Sequence, residues 1–281
     1  MAGGAYLHGP AFVAPVIPDW QALADAMARD ELPATTGGRL PRPELLAAGD
    51  RRRAPASVAL ALEAGRMALA AGGHTGAALP SVFTSAHGDL AIVDTLCSTL
   101  ATTPLEVSPT RFLNSIHNAP AGLWSMATAS RQATTAVTAG RYSFATGLLE
   151  ALLQCAADDQ AVLFIAYETV APERLRRTVG GRVPCAFAMI VSSQDAPAPV
   201  ASFSWSLDNR GAACHEPRTA PGRSLADTGM DNGMAFIETL ALREPGVCPL
   251  PLSGGQVLRL ELAAGDAHTV APPPSGPTGS Q

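Results

Sequence analysis

The sequence contains no lysine; all 19 of its basic residues are arginine. Without a lysine amine there is no Schiff base, which excludes pyridoxal chemistry. Nor can a G-x-x-x-x-G-K-[ST] phosphate loop be written. Aromatic residues are scarce, at 5%, so the core must be aliphatic, and abundant alanine lets its helices pack closely. Cysteines stand only at 97, 155, 185, 214 and 248. They are odd in number and show no C-x-x-C spacing, which excludes a disulfide framework and a zinc site. Cys97 and Cys155 fall on apolar helix faces and read as small core residues. No apolar run reaches the ~18 residues of a membrane span, and no basic-then-apolar leader opens the chain; a cytoplasmic protein with no membrane insertion is expected. Positive charge is not in excess either. The net charge is −5 and no basic run is longer than Arg51-Arg52-Arg53, which argues against nucleic acid as the main partner.

What is present is a chain of 281 residues, enough for one large domain or two small ones, and 47% apolar, enough for a sizeable core. Residues 4–17 read as an apolar strand broken by glycine and proline. Pro18-Asp19 starts a helix with Trp20, Leu23 and Met27 on one face. Residues 33–54 read as a surface loop rich in Pro, Gly and Arg. Its arginines are either solvated or a contact for phosphopantetheine or an acidic carrier surface. Helices are expected at 56–71, 88–100 and 121–129, the second with Ile92, Leu96 and Leu100 inward, and a loop at 108–120. The runs 79–84, 161–167 and 184–192 read as buried strands, the last two apolar throughout, as a strand covered on both faces must be. A strand at 200–207, a helix at 227–242 and a last strand at 256–262 follow, then a Pro/Gly/Ser-rich tail expected to be disordered. The alternation predicts helices packed on a largely parallel sheet.

The rest is organised around QATTAVTAGRYSFATGLLEALLQCAAD, residues 132–158. Thr134, Thr135, Val137 and Thr138 favour an extended chain. Ala139-Gly140 allows a tight turn. Phe144, Leu148, Ala151, Leu152 and Cys155 then recur at helical spacing. A strand turning sharply into a helix leaves the residue at the tip near unpaired N–H groups and the positive end of the helix dipole. Nucleophile elbows are built this way. Here the tip is Val137 or Thr138.

TTAVTAG resembles the T-T-A-C-x-x-G segment of β-ketoacyl synthases, with Val137 in the place of the acyl-accepting cysteine. VFTSAHGD (82–89), SPTRFLNSIHNAPAG (108–122) and SFATGLLEAL (143–152) resemble ketosynthase-like proteins of the chain length factor type, found with aryl polyene and related pigment pathways. The resemblance implies a thiolase-like (ketosynthase) α/β fold with one complete βαβαβαββ half at 1–195. A reduced C-terminal remnant at 196–263 packs on the same core, and 264–281 is the tail.

Decarboxylative condensation needs a thiolate to hold the acyl chain and two histidines to stabilise the developing oxyanion. Val137 is no nucleophile. The only histidines after residue 117, His215 and His268, fall in no family motif. The resemblance therefore implies a chain that does not condense by itself; whether it is an enzyme at all stays open. It would pair with an active ketosynthase, or with itself. It would serve a phosphopantetheinylated acyl carrier protein in polyketide- or fatty-acid-like elongation, and bind no cofactor of its own. Interface and acyl-tunnel positions fall on Phe112, Asn114, Ile116, His117 and Asn118, and on Thr134, Thr135 and Ala136 of the central strand.

Other readings remain. His87 and Asp89, with His117 and Asn118, could form an acid/base or metal site, although their spacing matches no metal motif and a loop-fixing role is simpler. Leu113 stands where the related proteins often carry a second histidine, before the H-N pair. An alternative of another class is a stand-alone acyl-thioester transferase or hydrolase using Thr138 or Ser143 with His117 as base. Glu150, alone on an apolar helix, is expected to pair with Arg141 or Arg177.

Overall fold

The computed structural model describes residues 1–32, 38–194, 199–209, 215–227 and 230–263. Strand β1 (Ala2–Val13) opens the chain, and its pairing shifts register between His8 and Ala11. Gly9 makes that bulge possible: its φ is +52°, and a Cβ there would lie 2.3 Å from the Ala68 carbonyl oxygen. Helices α1 (Trp20–Arg29), α2 (Ala48–Arg53) and α3 (Ala56–Gly72) precede β2 (Ser81–Thr84). Helices α4 (Leu90–Thr102), α5 (Pro109–Ser115) and α6 (Ala119–Thr128) lead to β3 (Thr134–Val137). A short helical turn, Gly140–Tyr142, then enters α7 (Ser143–Asp158). Next come β4 (Val162–Glu168), α8 (Glu173–Val179) and β5 (Cys185–Ser192), which complete a βαβαβαββ unit. The remainder is β6 (Ala201–Asp208), α9 (Ala220–Ala226), α10 (Asp231–Leu242), β7 (Gly246–Pro251) and β8 (Val257–Leu262).

The eight strands of the described residues lie in one sheet, in the order β3-β2-β4-β5-β1-β6-β8-β7. The strands of its middle alternate side chains between two cores. Val162, Phe164 and Ala166 join α1, α7 and α10 through Leu23, Leu148, Leu152 and Ile237. Leu163, Ile165 and Tyr167 join α3 and α6 through Val58, Leu62 and Trp124. Each large side chain buried there stabilises the fold by roughly 1.5–3 kcal/mol. Gly147 brings α7 against β2 near the site: a Cβ there would come within 2.6 Å of the Thr84 Cβ.

Several expectations are corrected. The sheet is mixed: only β3-β2 and β2-β4 pair in parallel, and the other five pairings are antiparallel. The supposed loop at 108–120 contains α5, started by Ser108, whose side chain accepts from the Arg111 N–H, and by Pro109 in the first turn. The loop after 37 contains α2. There Arg51 donates to the Leu46 and Glu44 carbonyls and Arg53 pairs with Asp50. The last helix starts at 231, not 227, and α9 precedes it, capped by Thr219. Strand β7 was not foreseen. Cys97 is exposed, and Leu100 is exposed on α4. Glu150 accepts from Gln154, its neighbour one helical turn on, rather than pairing with an arginine. The expected disordered tail at 264–281 lies outside the described residues. Among the described residues, no helix is long and apolar enough to cross a membrane.

Candidate functional site

Strand β3 ends the sheet. Among the described residues it pairs with β2 on one side only, and all four of its residues are half-buried. Its outer backbone groups are therefore open to another strand. The opposite edge, β7, is built differently. Pro249 and Pro251 stand at alternate positions along it and remove N–H donors that an incoming strand would need.

The two faces of β3 have different neighbours. On one, the Thr134 hydroxyl lies 3.2 Å from both the Ser81 and Ser125 hydroxyls. On the other, Thr135 accepts from Gln154, and Val137 packs against the core that α7 helps to form. Beside the first face is a depression of about 520 Å³. Ala136 lines it from the strand and Thr138 from just beyond its end, His117 and Asn118 from the link between α5 and α6, and Gly122 and Ser125 from α6. A Cβ on Gly122 would touch nothing within 4 Å. Next to it α5 and the residue that follows it turn apolar side chains to solvent: Phe112 is 59% exposed, Leu113 62% and Ile116 45%. Asn114 is half-buried on the same helix.

A buried polar network holds this surface. Glu168, at the end of β4, is 3% exposed. It accepts from the Ala86 N–H at 2.5 Å and the Ser85 hydroxyl at 3.3 Å. The carbonyls of these two residues in turn hold the site: that of Ser85 lies 3.0 Å from His117 Nε2, and that of Ala86 accepts from Thr138 at 3.3 Å. Tyr167 donates its hydroxyl to the His117 carbonyl at 3.1 Å. Burial holds that phenol well above its usual pKa, so it stays a donor at any physiological pH. Sequence reasoning missed Glu168. The signal was there: a carboxylate closing an otherwise apolar strand.

The remaining sequence candidates separate. Asp89 caps α4, accepting from the Ile92 N–H, and also holds the Ser57 hydroxyl at 3.2 Å. His87 is half-buried, and desolvation lowers its pKa, leaving a neutral ring at neutral pH. No group of three metal-ligating side chains exists among the described residues. Ser143 is fully buried at the start of α7; its hydroxyl donates to the Gly140 carbonyl at 2.7 Å and accepts from the Ala139 N–H at 2.8 Å. His117 is not hydrogen-bonded to Thr138 or Ser143: its Nε2 faces the Ser85 carbonyl, while Thr138 donates to the Ala86 carbonyl and Ser143 to that of Gly140. The elbow is also looser than expected. Val137 ends the strand, but α7 starts only at Ser143, with the Gly140–Tyr142 turn between them.

A family model described as the β-ketoacyl synthase, N-terminal domain, matches residues 20–244. No curated protein matches the sequence. Among solved structures, one match comes from the complex of a ketosynthase (ApeO) with its chain length factor (ApeC) from Xenorhabdus doucetiae. Its TM-score is 0.68 at 22% identity, covering 92% of this chain and 98% of that one. The ishigamide ketosynthase/chain length factor gives a TM-score of 0.69 at 16% identity, covering 92% and 99%. A type II polyketide complex of ketosynthase and acyl carrier protein (AntDE:AntF) gives 0.65 at 9%, covering 94% and 100%. At these identities the likeness is one of fold.

Proposed function

The chain belongs to the β-ketoacyl synthase N-terminal domain family, and from that premise we propose that it is a non-catalytic, chain length factor-type subunit that pairs with an active ketosynthase. The observation that carries this reading is the asymmetry of the sheet edges. The edge at β7 is closed to pairing by Pro249 and Pro251, whereas β3 is open and flanked by the exposed Phe112, Leu113 and Ile116. An unprotected edge beside an apolar surface is a liability unless a partner covers it.

In this reading β3 pairs across a two-fold axis with the corresponding strand of the ketosynthase. Phe112, Asn114, Ile116, His117 and Asn118 then reach the partner's acyl pocket and limit how long the chain can grow. The partner supplies the thiolate and the histidines. Val137 cannot act as a nucleophile, and neither His215 nor His268 falls in a motif that resembles the family's histidine motifs. The growing chain is a polyene or polyketide-like acyl group carried on the pantetheine arm of a carrier protein, and this chain binds no cofactor itself. Two structures of similar fold are a ketosynthase with its chain length factor and a ketosynthase/chain length factor, which supports the assignment.

Co-expression with an active ketosynthase from the same source, followed by size-exclusion chromatography, tests the proposal. A stable one-to-one complex is expected. Ala136→Lys, which places a charge at the open edge, should abolish the complex while the chain stays folded. A well-behaved monomer or a homodimer that ignores the ketosynthase would overturn the reading.

A further inference from the structure

A second cavity, of about 350 Å³, opens beside the same strand-to-helix turn. Arg141 and Tyr142 of the turn line it, together with Arg223 of α9 and Asn232 in the first turn of α10. Pro217, Ala226 and Pro251 supply apolar wall. Some arginines of the fold are held by carboxylates, and these two are not. Arg66, Arg174, Arg182 and Arg218 each pair with a carboxylate. Arg141 instead lies over the Tyr142 ring, 5.3 Å from its centroid, and Arg223 donates to the Arg218 carbonyl. Among the described residues, neither has a carboxylate within ion-pair distance.

One further feature favours negative charge. Tyr142 precedes the first residue of α7, so the positive end of that helix's dipole lies beside the cavity. Asn232 stands in the first turn of α10, next to Asp231. Glu216 and His215 also line the cavity. The Glu216 carboxylate offsets one guanidinium, which favours a single anionic head over a polyphosphate.

We propose that this cavity binds a small molecule with one oxyanion head, a carboxylate or a phosphate monoester, on a short apolar body. The guanidinium groups can grip either head through paired N–H bonds, while the prolines and Ala226 pack the body. The volume lies within the range of ordinary ligand pockets, roughly 300–1,000 Å³. The site does not depend on the pairing proposed above.

Titration calorimetry on the full chain, in complex with its partner where one is needed, tests this with benzoate, phenyl phosphate and neutral benzyl alcohol. Saturable binding of at least one anion is expected, weakening with salt, with none for the alcohol. Binding of benzoate alone assigns a carboxylate site, of phenyl phosphate alone a phosphate site, and of both a general oxyanion site. Arg141→Ala and Arg223→Ala should each weaken binding about tenfold or more, and Glu216→Gln should tighten it. All three side chains are exposed, so the variants should melt within a few degrees of the parent and keep their pairing with the ketosynthase. Failure of both anions to bind saturably, or undiminished binding in both arginine variants, overturns the proposal. Because pairing is measured on the same samples, loss of one property with the other intact shows which idea has failed.

Discussion

His117 Nε2 lies 3.0 Å from the backbone carbonyl of Ser85. A carbonyl can only accept, so this nitrogen carries the hydrogen, and in the neutral ring only Nδ1 is left to accept. The ring is a fixed donor on a loop that Glu168 holds from beneath. Glu168→Leu leaves the Ala86 N–H and the Ser85 hydroxyl without their acceptor. Each buried orphan costs about 1–3 kcal/mol, so urea denaturation should show a loss of roughly 2 kcal/mol or more. Glu168→Gln keeps an oxygen for the Ala86 N–H and should cost clearly less. Equal losses in the two variants would mean that the Ala86 bond contributes nothing.

The lowered pKa of His87 makes stability depend on pH in a definite direction. Its folded value lies below the ordinary one, about 6.5, so the unfolded chain binds more protons as the pH falls through that range. Stability therefore rises with pH. The contribution is complete above pH ~6.5 and is lost progressively on acidification below it. Denaturant midpoints measured between pH 7.5 and 5.5 should fall, and His87→Gln should flatten the slope. A slope that His87→Gln leaves unchanged would assign the effect to other groups.

Phe112 and Ile116 make their case through exposure. Neither is needed to fold the isolated chain, so Phe112→Ala and Ile116→Trp should each change its stability by no more than about 0.5 kcal/mol. In the complex with the ketosynthase the same changes should alter the product. Removing the Phe112 ring should lengthen the acyl chain, and adding bulk at 116 should shorten it. Mass spectrometry of carrier-bound products reads this directly. An unchanged profile in an intact complex would remove these residues from the tunnel.

The sequence made some elements plain and hid others for identifiable reasons. Asp19 before an apolar stripe marked α1, and its side chain does accept from the Ala22 N–H at 2.8 Å. The unbroken apolar runs of β4 and β5 announced strands covered on both faces, and both are buried throughout. Helix α5 gave no such signal, because Phe112, Leu113 and Ile116 point to solvent and make no inward stripe. Strand β7 was masked by its prolines, which are tolerated only because it lies at an edge. The antiparallel pairings depend on how the connections run, which local periodicity does not encode. The site's scaffold was least legible of all: Glu168 meets Ala86 across 82 positions, and no spacing rule joins them.

Val137→Cys restores a thiol at the position where the resemblance places the family's nucleophile, and the structure sets what that thiol can do. Position 137 ends β3, half-buried and packed partly against the core. The helix that would activate it begins at Ser143, beyond the Gly140–Tyr142 turn. A helix dipole acts mainly within its first turn, so the new thiol gains little from it, and partial burial favours the neutral form. Slow alkylation by iodoacetamide at neutral pH is expected, faster above pH ~8.5 as the thiolate forms. Condensation asks for more than a thiolate. Donors must meet the thioester and malonyl oxygens, and removing even one such donor typically costs ~100-fold or more in rate. Within the described part of the site, His117 Nε2 is already committed to Ser85 and the Thr138 hydroxyl to Ala86. The Val137→Cys chain alone should therefore be labelled slowly and elongate nothing. Turnover of an acyl-carrier substrate by that variant, clearly above the parent and without a ketosynthase present, would mean that residues of this chain do the work assigned here to the partner.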